Sequence, residues 1–147
     1  MSAAVAGAIG SGGYGEVVPL VAAAICPHPP LLVPSIAAGA AAELDHLRAA
    51  CAAAVEEVFQ AGPDAIVIVG SGAVTRDHGP HNFGAFDPYG VRETYALGGR
   101  DALAVGERLP LSLGMGAWLL RDRATTPDRR AVEIGRASCR ERVLRLV

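Results

Sequence analysis

The sequence predicts an α/β domain: a βαβ core with a largely parallel sheet flanked by helices. Two apolar runs, residues 20–26 (LVAAAIC) and 65–69 (AIVIV), have the unbroken hydrophobicity of strands covered on both faces. Between them, residues 35–60 carry apolar side chains at helical steps. The links are short. Strand, helix and strand therefore form one unit whose right-handed crossover sets the two strands parallel, with their carboxyl ends on the same side.

Bulk composition fits one domain. The 147 residues are 51% hydrophobic, enough to build a core and too apolar for a disordered chain. A formal net charge of −2 and the lack of a basic stripe interleaved with aromatics argue against a nucleic-acid or acidic-membrane partner. The cysteines Cys26, Cys51 and Cys139 are odd in number and show no C-x-x-C spacing, so neither a disulfide framework nor a zinc knuckle is expected, and a cytoplasmic setting fits best. No Lys or Arg precedes Glu16, so the charged start of a secretory signal is missing. No apolar stretch is long enough to span a bilayer.

Taken in order, residues 1–17 read as a flexible leader or a start called too early. Gly10, Gly12 and Gly15 satisfy G-x-G-x-x-G, but Glu16, Val17, Val18 and Pro19 follow where a dinucleotide-binding loop would need a helix. The run at 20–26 must end at Pro27, Pro29 and Pro30, which fix φ and lack amide donors. His28 is thereby held on a stiff loop just beyond a strand's carboxyl end, the edge where open α/β sheets bind ligands. A histidine there either serves a site or bonds a backbone carbonyl.

In the helix at 35–60, Leu44, Leu47, Cys51, Val55, Val58 and Phe59 form one stripe, His46 lies among acidic residues on the solvent side, and Gly62 and Pro63 supply the stop. After the strand at 65–69, residues 70–88 read as a long irregular loop carrying His78 and His81, of the kind that is either functional or idle. Three imidazoles at one sheet edge would make a metal-ligand cluster. Residues 91–97 read as a further strand. Residues 109–120 read as a short buried helix with Leu111, Met115, Trp118 and Leu119 on one face; Gly114 and Gly116 there permit close packing, and Trp118 belongs to the core.

The character changes from Arg121. Residues 133–143 (EIGRASCRERV) show no helical or strand period, and the string resembles a translated sequencing adapter, so 133–147 is read as a non-native tail and the natural chain as cut off near Val132. The other reading is a natural basic tail with Arg136, Arg140, Arg142 and Arg145 as a solvated cluster.

Five stretches, CPHPPLLVP at 26–34, the Ala-rich helix, AIVIVGSG at 65–72, FGAFDPYGV at 83–91 and LPLSLGMGAWLL at 109–120, together resemble the catalytic-subunit family of class III extradiol ring-cleavage dioxygenases, the LigB-like superfamily, over residues 18–132. The resemblance implies a partial LigB-like fold and a non-haem Fe(II) held by two histidines and a glutamate, open to a catecholic substrate and O₂. His28 matches the first histidine ligand. His78 in D-H-G-P is matched to the second, with His81 in reserve and as the candidate catalytic histidine. The family's glutamate and its proton-handling histidine have no matching position, so the chain as given is expected to be an inactive fragment. A metal-free LigB-like binding or scaffold module, and a nucleotide-binding α/β domain using the glycines at 10–15 or 70–72, are the other readings. Association with copies of itself is left open.

Overall fold

The computed structural model describes Val5–Ala6, residues 19–123 and residues 127–135. The Gly10-Gly12-Gly15 motif, Cys139 and the arginines from Arg136 onward lie outside the described residues.

The strands are β1 (Val5–Ala6), β2 (Ala22–Ala23), β3 (Ala65–Gly72), β4 (Arg76–His78), β5 (Phe83–Ala85), β6 (Thr94–Ala96) and β7 (Asp128–Gly135). The helices are α1 (Pro34–Ala37), α2 (Asp45–Gln60) and α3 (Leu111–Leu119), with 3₁₀ turns at Pro30–Leu32, Ala38–Leu44 and Asp87–Tyr89. Five strands form one sheet in the order β2-β1-β3-β7-β4, and β5 and β6 form a separate hairpin. The α/β class therefore holds, but the sheet is mixed and not largely parallel. Among the described strands, only β3 and β7 pair in parallel, from Ala65 opposite Asp128 to Gly72 opposite Gly135; β1 is antiparallel to β2 and β3, and β4 to β7.

The strand expected over 20–26 is corrected in two respects. The strand itself spans only Ala22–Ala23, on an outer position of the sheet, with Ile25 in an isolated bridge, and Leu20, Val21 and Ile25 are 58, 51 and 65% exposed. The expected adjacency with β3 also fails: β2 and β3 do run the same way, but β1 lies between them, contributed by the segment read as a leader.

The helix expected over 35–60 is broken near its start. Ala38 takes φ 47°, a value that a residue with a Cβ rarely adopts, and the chain continues as a 3₁₀ turn before α2. From Asp45 onward the stripe behaves as its spacing requires, with Cys51, Val55 and Val58 buried and Gly62 at φ 64° closing the helix. The loop expected at 70–88 is more ordered than its composition suggests, since it contains β4, β5 and a 3₁₀ turn.

The end of the described chain brings another correction. Glu133, Ile134 and Gly135 complete β7 and pair with Gly70, Ser71 and Gly72, so the absence of a strand period does not hold for them.

α3 is the hub of the core. Met115 and Trp118 pack with Leu32, Val33 and Phe86; Leu113 and Ala117 pack with Leu97, Leu109 and Ala131; and Leu120, just past the helix, joins Ala24, Val55, Val58 and Ile66. Trp118 is thus a core residue, as its spacing predicted. Gly116 packs on the sheet as expected, since a Cβ there would lie 2.6 Å from Ile68 Cγ2 on β3, whereas Gly114 faces the hairpin, a Cβ on Gly84 lying 2.6 Å from the Gly114 backbone. Bare backbone lets α3 lie close to the sheet on one side and to the hairpin on the other.

Candidate functional site

A cavity of about 290 Å³ opens near the carboxyl end of β3. α2 contributes Val55 and Val58 to its wall, β3 contributes Ile66, Ile68, Val69, Gly70 and Ser71, and α3 contributes Ser112, Met115, Gly116 and Leu119. Ile25, Cys26, Pro27 and His28 complete it, so the proline-braced loop sits over the cavity with an exposed His28. The prolines explain this locally: Pro29 holds extended geometry (φ −66°, ψ 136°) and Pro30 opens a 3₁₀ turn whose Leu32 is buried. The loop is anchored by Leu32 and Val33 in the core and stiffened by prolines, and it carries its histidine at a fixed place.

Among the described residues, no aspartate, glutamate, lysine or arginine lines this cavity, and His28 is its one imidazole. An ion moved into such a wall loses hydration with no counter-charge to replace it. The wall therefore suits a neutral guest. Its polar groups are few: the His28 ring, the Ser71 and Ser112 hydroxyls and the Cys26 thiol.

His78 lies elsewhere. It ends β4, one outer strand of the sheet, whereas His28 follows β2, the other outer strand. Four inter-strand spacings of about 4.8 Å put roughly 19 Å between those two strands. The His78 ring is buried and committed on both sides: Nε2 is 3.1 Å from Glu133 Oε2, and Nδ1 is 3.0 Å from Asn82 Nδ2. The backbone N–H of Glu107 donates to Asn82 Oδ1 at 3.4 Å, which orients the amide so that its NH₂ group donates to Nδ1. The ring is thereby held as the Nε2–H tautomer, its proton given to Glu133 and its one lone pair taken by Asn82.

Glu133 is the centre of that second cluster. It also accepts from the backbone N–H of Ala73 at 2.7 Å and of Val74 at 3.3 Å, and from Arg76 Nε at 3.1 Å, while Arg76 Nη1 reaches Glu107 at 2.8 Å. Burial works to raise its pKa, but the hydrogen bonds from Arg76, His78, Val74 and Ala73 prevail and hold it down at about 2. A carboxylate with this many donors fixes the 73–78 turn against β7.

His81 is exposed, and its carbonyl accepts from the Gly106 N–H at 2.8 Å; His46 is exposed on α2. The structure thus brings none of His28, His78 and His81 together at the cavity. Among the described residues, no three His, Cys, Asp or Glu side chains are grouped so as to hold a metal ion. His28 has no acidic or imidazole neighbour in the cavity wall, and His78 has no lone pair left to offer. Among the described residues, the donor set does not fit the Fe(II) that the resemblance implies.

No protein-family model, curated protein or solved structure matches this chain. Geometry alone therefore describes the site. Among the described residues, no helix is long and apolar enough to cross a membrane.

Sequence reasoning missed Ser71, Ser112 and Glu133. Ser112 left one trace: it is the only polar residue in the apolar segment 109–120. Glu133 left none, because it falls in a string with no recognisable period.

Proposed function

We propose that the chain binds a small, neutral, mainly apolar molecule, of the order of one aromatic ring with hydroxyl substituents, in the cavity beside the His28 loop. The observation that carries this reading is the wall itself, a mainly apolar lining around about 290 Å³ with no charged side chain among the described residues. That volume is at the lower end of small-molecule pockets, which begin at roughly 300 Å³. Met115 in the wall supplies a polarisable thioether suited to an aromatic ring.

The reading is the metal-free binding module among the expectations drawn from the sequence, and the resemblance to extradiol dioxygenases supports a catecholic guest. The iron-dependent, O₂-consuming ring cleavage that this family implies is not proposed for this chain, since its histidines lack the required grouping. A cytoplasmic setting accords with the odd number of cysteines. For the nucleotide reading, the described wall offers no cation for a phosphate, and Gly70 and Gly72 lie within β3 and not before a helix, while Gly10, Gly12 and Gly15 lie outside the described residues.

A titration followed by side-chain methyl resonances tests the proposal. Catechol is expected to shift the Ile68 and Met115 methyls and to saturate, whereas benzoate, of similar size and charged, is expected to leave them unmoved at the same concentration. Equal binding of the two would contradict a cavity selected for neutral guests.

A further inference from the structure

Ser112, near the start of α3, touches the cavity with a hydroxyl whose proton is already used. Its Oγ lies 2.6 Å from the carbonyl oxygen of Ser71. A carbonyl only accepts, so the hydroxyl must be the donor, and what it retains for any guest is lone pairs. The backbone is arranged to seat this oxygen: a Cβ on Gly70 would come within 2.6 Å of Ser112 Oγ, so only a glycine at 70 leaves room for it. His28 and the Ser71 hydroxyl can donate or accept; Ser112 can only accept.

We propose that Ser112 is a specificity-determining residue of this cavity, an obligate acceptor that selects guests presenting an O–H or N–H, phenols above all, over guests of the same shape that are purely apolar or offer only acceptors. The inference rests on the reading of the cavity as a site for small neutral aromatics. It adds the direction of the hydrogen bond. A guest hydroxyl meets an oxygen lone pair, whereas an ether oxygen in the same place faces another lone pair and forfeits its own hydration without a replacement. Capping a single O–H with a methyl group should therefore cost far more than its added size explains.

The test uses three probes of one shape class, p-cresol, 4-methylanisole and toluene, titrated into the whole chain and into two variants. In the unaltered chain p-cresol is expected to bind about tenfold more tightly than 4-methylanisole, the scale of one hydrogen bond with its partner left unsatisfied. Ser112→Ala should bring that ratio close to one while toluene binding is kept, which shows that the cavity itself is intact. Ser112→Cys keeps a donor on the Ser71 carbonyl but offers a sulfur, a weak acceptor, and should lower the ratio without freeing that carbonyl to take over. A p-cresol preference unchanged in both variants, or absent from the unaltered chain while toluene binds, overturns the role of Ser112 and leaves the cavity reading standing. Failure of all three probes to bind the folded, unaltered chain overturns the cavity reading, and this inference with it.

Discussion

Each ring nitrogen of His78 is occupied, one by Glu133 and the other by Asn82, and that decides what the side chain can do. It is a structural donor, whereas His28, exposed at the cavity, keeps its chemistry available. The Glu133 carboxylate has a consequence for stability. Its folded-state pKa of about 2 is depressed from 4.5, so its contribution is fully present above pH 4.5 and is lost as the pH falls toward 2. Acid unfolding followed by circular dichroism should show that loss within this window. Glu133→Gln should flatten stability there and lower it at neutral pH, because Arg76 and His78 lose their acceptor; an identical acid profile in the variant would contradict the role given to the cluster. His28 was legible in the sequence because prolines advertise a fixed backbone. Ser112 was not, since a lone serine in an apolar run carries no signature of the carbonyl it meets across the fold.

Among the elements, α3 sets the tolerances. A methyl on Gly116 meets Ile68 Cγ2 at 2.6 Å, and a methyl on Gly84 meets the Gly114 backbone at 2.6 Å. Gly116→Ala is expected to lower stability by about 1–3 kcal/mol, the usual cost of overpacking, and Gly84→Ala by more, because backbone yields less than a side chain. Urea midpoints at unchanged slope would measure both; two variants as stable as the parent would refute the close packing of α3. α2 and β3 were readable because their patterns are the ones that burial produces, a helical stripe in one and a solid apolar run in the other. β7 was not. Its buried positions are Arg129, Ala131, Glu133 and Gly135, while Asp128 and Arg130 are exposed and Val132 and Ile134 partly buried, so both faces of the strand mix polar and apolar residues. A rule that reads apolar residues as inward finds no alternation on such a strand. The run at 20–26 failed for another reason: it lies at an outer position of the sheet, where hydrophobic residues do not imply burial.

At the scale of the molecule, the class was legible and the sheet order was not. Alternation of strand and helix fixes α/β, but which strand lies beside which depends on pairings that local pattern does not encode, and here β1 separates β2 from β3. That insertion leaves β2 and β4 as the outer strands, so the histidines associated with them do not meet. What the architecture does assemble is an uncharged cavity, walled by α2, β3 and α3 and flanked by a rigid loop. Among the described residues, every residue of its wall lies between Ile25 and Leu120, while Glu133 and Ile134 support the wall from behind by pairing with Gly70 and Ser71. The most direct test is where a guest sits. The chain has two methionines, and Met115 is buried in the core, so its methyl gives a distinct reporter. With catechol at saturation, intermolecular nuclear Overhauser contacts should join its ring protons to the Met115 and Ile68 methyls. Contacts confined to the separate concavity at Thr94, Ala102 and Arg121, or none at all, would contradict the cavity as the binding site.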